Sequence, residues 1–433
     1  MNGPTMNIMY SAIITGEPSI DDLKVAIDYA VNKFEILRCR ILQDYEGEAY
    51  YVMREKRCEP FIEVREYSTS DQEFLTEQER LPFRYDKGEM VRFYIEKYEF
   101  RKLKLRIVMH HLGGDGKSAL LLVDEIMKNL CALDMGKFDY CEETVVPMQV
   151  FTKEYLEEHV QMSDLIKVSA QKVNNNWKKE KVVFDINDYL KMFHEYWKNH
   201  KSILRCVKIE EEVFRCVKKL CKENGITIHS FLVAAAERKL NKNDKVAMAV
   251  DGKPDDYHRM GNFGGGIAID CSYDESKTFW ENAVYIHNQI HVQLQDRQSS
   301  FFGHVMKGML DCSFQDALTY QSVGYFENAL AEDYNNMIGN GKTETKNFLI
   351  SNIGKFDLAS QGYGRFGVDE FVFAPALQSN VDCSVGVATV HDKMLFNVEY
   401  NKEDKEYYET VVEGIIQQFN EVAFEDKKTI EVF

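Results

Sequence analysis

The chain has 433 residues, with 70 acidic and 53 basic side chains and a formal charge of −17; that negative excess excludes nucleic acid and anionic membrane surfaces as its main partners. The length corresponds to about two to three domains, and 45% hydrophobic residues are enough to fill sizeable cores. No uninterrupted apolar run approaches the ~20 residues that span a bilayer. The N-terminus lacks the charged-then-apolar layout of a signal peptide. Ten cysteines without a Cys-x-x-Cys pair read as small buried hydrophobes of a chain expected in the reducing cytoplasm.

Met6 to Thr15 is a first expected strand. Ser19 then opens a helix, with Asp22 as a capping-box acid and Leu23, Ala26, Ile27, Ala30, Val31 and Phe34 as its buried stripe. Strands are expected at Ile36–Ile41, Tyr50–Val52 and Phe61–Val64. Pro82-Phe83 and Arg92 precede a run, Leu103 to Val108, whose alternation is that of a half-buried strand. Leu103, Leu105, Ile107 and Met109 share one face. His111 continues that face, and His110 points the other way. After Gly116 the apolar spacing turns helical, through Ala119, Leu120, Val123, Ile126, Met127 and Leu130, with Asp115 at the N-cap position.

Three chemistries compete for residues 110–118. A phosphate loop would need glycine five residues before Gly116, and His111 stands there. A metal site is disfavoured because adjacent histidines on a strand face opposite ways, and no His-Glu-x-x-His spacing follows. A general base fits: a neutral imidazole near its reference pKa of ~6.5 can deprotonate a weak nucleophile at neutral pH. A lone histidine would otherwise read as a satisfied core residue.

Tyr140 to Val150 looks like a linker, followed by helical segments at Thr152–Val160 and Asp188–Trp197. Lys172 to Lys181 reads as a solvated polar surface. A helix through Val213, Val217, Leu220 and Cys221 ends at Asn224-Gly225, and Thr227 caps an alanine-rich helix to Leu240. Strands follow at Lys245–Val250 and Ile267–Cys271. Between them lie Asp251-Gly252-Lys253-Pro254 and Gly261-Asn262-Phe263-Gly264-Gly265-Gly266. The three glycines serve either a tight turn or a close backbone approach to a ligand. Phe348–Gly354 is a strand ending Ser351-Asn352-x-Gly354. Val381–Val387 and Lys393–Val398 form a closing hairpin, and Tyr407–Phe419 is the last helix.

His-His-x-x-x-Asp-Gly over 110–116 resembles the signature of the condensation-domain superfamily of acyltransferases. That group takes in nonribosomal peptide condensation domains, alcohol O-acetyltransferases, wax-ester synthases and the chloramphenicol acetyltransferase fold. Other stretches are similar to the family in the same order. These are the helix before Leu37-Arg38, Pro82-Phe83 with Arg92, Gly225-Ile226-Thr227, the 251–254 and 261–266 turns, and Ser351-Asn352. Met90 stands where proline is usual, and Lys253 where arginine is usual. Tyr363-Gly364-Arg365-Phe366-Gly367 only partly resembles the plant Asp-Phe-Gly-Trp-Gly motif, which argues against the plant branch. The resemblance covers about Ser19 to Val398.

The resemblance implies an α/β fold of two chloramphenicol acetyltransferase-like domains in a V, with a tunnel between them. The expected division is 1–165 and 166–433, with the linker inside about 140–205. A pantetheine thioester would enter one mouth and an alcohol or amine acceptor the other, meeting at His111 as general base. His110, Asp115 and Gly116 complete the implied catalytic group. Asp115 is structural, with Lys253 as its candidate partner, and the backbone near Gly116 and the Ser351 hydroxyl are candidate oxyanion donors. Ser351, Asn352, Asn262 and Phe263 are the implied substrate-binding residues. No metal and no permanently bound cofactor are implied. The first expectation is an acyl-CoA-dependent O- or N-acyltransferase. The alternatives are a stand-alone condensation enzyme fed by a carrier protein and a non-catalytic scaffold of the same fold.

Overall fold

The computed structural model describes residues 3–140, 144–252, 259–338, 346–356, 362–378 and 381–431. Its strands are β1 (Asn7–Thr15), β2 (Cys39–Gln43), β3 (Ala49–Met53), β4 (Phe61–Arg65), β5 (Val91–Glu99), β6 (Lys102–His110), β7 (Ser202–Ile209), β8 (Lys245–Asp251), β9 (Gly264–Asp270), β10 (Asn347–Phe356), β11 (Gly367–Ala374), β12 (Cys383–Val390) and β13 (Lys393–Asn401). They form a five-stranded sheet in the order β11-β1-β6-β5-β4 and a six-stranded sheet in the order β7-β13-β12-β10-β8-β9. The hairpin β2-β3 stands apart. Each large sheet carries helices on a buried face, so the chain has the mixed α/β architecture that the resemblance implies.

The first core follows from strand alternation. Ile8, Tyr10, Ala12 and Ile14 of β1 and Leu103, Leu105, Ile107 and Met109 of β6 face the helices Ile20–Lys33 and Gly116–Asp134. The second core gathers Val246 and Met248 of β8, Phe348 and Ile350 of β10 and Val385 and Val387 of β12. The helices Ile228–Glu237 and Lys405–Glu431 cover them.

The packing does not follow a single cut at 165/166. Trp177, Tyr189, Met192 and Phe193, and later Phe314, Leu318 and Tyr334, all enter the first core. Strand β11 also crosses over: its sequence neighbours β10 and β12 lie in the second sheet, yet β11 pairs antiparallel with β1. Gly386 of β12 permits that crossing. A Cβ there would lie 2.1 Å from the Phe373 carbonyl oxygen of β11, an oxygen that accepts a 3.1 Å hydrogen bond from Asn397 Nδ2 of β13.

Several local expectations change. Residues 35–38 form a short helix, Glu35–Arg38, and only then the strand β2. Ser19 caps its helix by accepting from the Asp22 N–H, without a reciprocal Asp22 contact. The polar run 172–181 continues the helix Asp164–Trp177, whose buried Trp177 donates from Nε1 to Ser313 Oγ at 2.8 Å. The three glycines 264–266 make no turn; they open β9, paired with β8. Their close approach is to protein backbone, since a Cβ on Gly265 would meet the Ser300 carbonyl oxygen at 2.9 Å. Among the described residues, no helix is long and apolar enough to cross a membrane.

Candidate active site

Strand β6 ends at His110, and the next five residues turn into the helix Gly116–Asp134. Asp115 caps that helix: Oδ1 accepts from Ser118 N at 2.9 Å and from Ser118 Oγ at 3.0 Å. The His111 N–H donates to the Met6 carbonyl at 2.8 Å. Because Asn7 pairs with His110, Met6 is the cross-strand neighbour of His111 on the core-facing side of the sheet.

The two histidines have different surroundings. His110 is wholly buried and lies against the rings of Phe83 and Tyr85. Its Nδ1 accepts the Leu112 N–H at 3.2 Å, so the ring proton is assigned to Nε2. Burial pushes its pKa down to about 3. His111 is half-buried. Its Nδ1 is buried without a hydrogen-bond partner, which leaves Nε2 as the ring nitrogen open to approach. Burial lowers the His111 pKa from its ordinary 6.5, while its own backbone carbonyl and the Asp115 carboxylate oppose that shift. Both rings are therefore neutral at pH 7, and only His111 has an accessible nitrogen.

The Pro82-Phe83 and Arg92 pair gains a physical reason. Arg92 donates to the Leu81 carbonyl at 3.0 Å, the Pro82 carbonyl at 2.7 Å and Glu89 Oε1 at 2.6 Å. Its guanidinium also sits 4.1 Å over the Phe83 ring. This fork fixes the ring that in turn packs on His110. Met90, at the usual proline position, accepts the His110 N–H with its carbonyl at 3.0 Å.

Asp115 also ties the turn to the second half of the chain. Its Oδ2 accepts the Phe263 N–H at 3.1 Å, and its own N–H donates to the Gly261 carbonyl at 3.2 Å. Ser118 Oγ reaches the same Gly261 carbonyl at 2.9 Å. The carboxylate is thus fully engaged by backbone and by Ser118, while Lys253, its expected partner, lies outside the described residues. The Phe263 ring is fully buried and packs edge-on against Phe151, which leaves it no surface for a substrate. Asn262 is half-buried, and its Oδ1 accepts the Gly264 N–H at 3.4 Å.

The third element at this junction is the end of β10. A Cβ on Gly116 would lie 2.7 Å from Ile353 Cγ2, so the start of the helix abuts the residue after Ser351-Asn352. Both of these are half-buried, and Asn352 Oδ1 accepts the Gly354 N–H at 2.8 Å. The structure thereby brings together three stretches far apart in sequence: 110–118, 261–263 and 351–353. Most N–H groups of the turn are occupied: His110, His111, Leu112, Gly113, Asp115 and Ser118 all donate within the protein. Those of Gly114 and Gly116 have no acceptor among the described residues. No group of three or more potential metal ligands occurs there either.

Sequence reasoning missed Met6, Gly261 and Ile353, which hold the site from other strands and turns. Only the β1–β6 register could have pointed to Met6. A cavity of about 300 Å³ opens beside it.

The model of the condensation domain matches residues 5–250, more than half of the chain. Bacitracin synthase 1 of Bacillus licheniformis is 27% identical over 210 residues; the match covers 46% of this chain and 4% of that protein's length. Among solved structures, the fold is similar to three others. For the first condensation domain of the calcium-dependent antibiotic synthetase the TM-score is 0.64, at 12% identity, covering 98% and 92% of the two chains. For the SgcC5 protein of Streptomyces globisporus it is 0.59, at 12% identity, covering 96% and 92%. For VibH, a nonribosomal peptide synthetase condensation enzyme, it is 0.53, at 12% identity, covering 99% and 93%. Members of this family are transferases of acyl and peptidyl groups. With its matched N-terminal half and a fold shared along nearly its whole length, the chain belongs to the condensation-domain family.

Proposed function

We propose that the protein moves an acyl group from a carrier-held phosphopantetheine thioester to a small-molecule amine or hydroxyl, with His111 as general base. The observation that carries this reading is the accessible, neutral His111 imidazole at a turn pinned to both halves of the chain. The carrier-held donor replaces the acyl-CoA of the first expectation, because the family model is that of the condensation domain and the similar proteins include a condensation domain of an antibiotic synthetase and a nonribosomal peptide synthetase condensation enzyme. A hydroxyl acceptor is kept beside the amine, since the SgcC5 structure is a complex with a naphthyl ethanediol.

Each group has one task. With its proton on Nδ1, His111 offers the Nε2 lone pair to the acceptor N–H or O–H as that atom attacks the thioester carbonyl carbon. The tetrahedral oxyanion needs preorganised donors, and the unoccupied Gly114 and Gly116 N–H groups, with the Ser351 hydroxyl, are the candidates. Collapse breaks the C–S bond, and the imidazolium returns its proton to the departing thiolate. Asp115 holds the turn and takes no proton. His110 supports the strand end from below. Ser351, Asn352 and Asn262 line the approach between the halves, where exclusion of water protects the thioester from hydrolysis.

Intact-mass analysis tests this with an acyl-phosphopantetheinyl carrier protein, a panel of amines and alcohols, and acetyl-CoA in a parallel arm. Acyl transfer from the carrier that is lost in His111→Ala is the expected result. Transfer from CoA alone would restore the CoA-dependent reading. No transfer from either donor by folded protein would leave the scaffold.

A further inference from the structure

The cavity of about 300 Å³ beside Met6 lies within the size range of small-molecule sites. It opens between the start of the chain and the helices Arg297–Gly308, Cys312–Ser322 and Ala329–Met337. Apolar side chains dominate its wall: Met6, Phe302, Met306, Leu310, Leu318 and Tyr334. The lone charged wall residue is Lys307, whose side chain reaches solvent while burial holds its ammonium pKa below the ordinary value. Met6 is also the cross-strand neighbour of His111, so one side chain borders both the cavity and the base, with Cβ atoms on the order of 5 Å apart.

We propose that this cavity is a binding pocket for the apolar chain of one of the two reactants, and so selects a medium-length aliphatic group over a short one. The assignment rests on the transfer reading above only for the word reactant; occupancy of the pocket is a binding property. An aliphatic chain is the chemistry that this wall recognises, because apolar side chains make up most of it and offer dispersion contacts, with Lys307 its one charged group. The chain could be carried by the acyl donor or by the acceptor, and the two are separable by experiment.

Isothermal titration calorimetry on the full chain, with one reactant at a time, reads binding without turnover. The donor arm compares octanoyl-pantetheine with acetyl-pantetheine, and the acceptor arm compares octylamine with ethylamine. Each buried methylene is worth roughly a fourfold gain in affinity, so the longer probe of the correct arm should bind at least about tenfold tighter. Met306→Trp, which fills the cavity from a half-buried position, should abolish that gain and leave the short probe unchanged. Thr319→Phe, from the neighbouring helix, is the second variant, and melting temperatures establish that both fold. Equal affinity for long and short probes in both arms would overturn the pocket. A gain that survives both substitutions would do the same. Failure of acyl transfer with this gain intact would reject the transfer reading alone.

Discussion

His111 and His110 are adjacent, yet their substitution should have different consequences. We expect His111→Ala to fold normally and to lose about 10²–10⁴ in turnover, the range for general acid–base catalysis, equivalent to roughly 3–5 kcal/mol of barrier. His110→Ala removes the ring between Phe83 and Tyr85 and should chiefly lower the melting temperature. The pH profile adds a sign. Burial depresses the His111 pKa below 6.5, and the neutral ring is the base. Log kcat/KM should therefore be flat at neutral pH and fall on acidification, with its midpoint below 6.5. A midpoint above 7 would reject His111 as the titrating base. Asp115→Ala should cost about 2–4 kcal/mol, from a lost N-cap and an unpaired Phe263 N–H. Asp115→Asn separates the two roles: it can retain the cap at Ser118 but presents an amide N–H₂ to the Phe263 donor. Urea titrations of both variants, beside kcat/KM, measure this.

At the scale of elements, the site depends on close approaches that only particular residues allow. Gly386→Ala would drive a methyl group into the Phe373 carbonyl at 2.1 Å. That partner is backbone and cannot swing aside, so we expect a loss of about 3 kcal/mol and a loosened β11 crossover. Arg92→Lys keeps the charge but not the planar fork that binds two carbonyls and Glu89. It should cost about 1–3 kcal/mol, measured by denaturant unfolding, and should free Phe83 from its place on His110. Elements with strong local patterning were legible: β6 from its alternation, and the helix Gly116–Asp134 from its apolar stripe and Asp115 cap. The helix Glu35–Arg38 carries a strand-like pattern, because Ile36, Leu37 and Cys39 are apolar in a run too short to separate the two periods. Between Cys271 and Phe348 no element is assigned from the sequence. The helices there expose Val292, Phe302 and Met337 as well as burying apolar residues, which blurs any single stripe.

For the molecule as a whole, the junction of the two sheets holds a buried carboxyl pair. Glu79, after the helix Asp71–Gln78, accepts from Ser202 Oγ of β7 and shares a hydrogen bond with Glu399 of β13. Burial raises both carboxyl pKa values; Glu79 raises that of Glu399 further, while the hydrogen bonds from Ser202 and Glu399 and the nearby Arg80 hold that of Glu79 back. The folded state then binds protons that the unfolded chain has released above its ordinary carboxylate range, so this pair favours folding at low pH. The contribution declines as pH rises above that range through the raised folded values. We expect the melting temperature to fall between pH 5 and pH 8, on the order of the window these shifts span, and Glu399→Gln to flatten that slope. A slope unchanged in Glu399→Gln would place the titrating groups elsewhere.

The sequence by itself determined the local chemistry. The strand, turn and capped helix at 103–130 are written in spacing, and with them the opposite facing of His110 and His111. The family resemblance rests on the same residues. Only the tertiary structure decided what surrounds them. The Asp115 clamp on Gly261 and Phe263, the contact of Gly116 with Ile353 and the pairing of Met6 with His111 join residues more than a hundred positions apart. Strand β11 reaches β1 from the far end of the chain. Such contacts depend on sheet order and register. Those are set when distant apolar faces are buried together, and nothing in a local stretch of sequence encodes its remote partner.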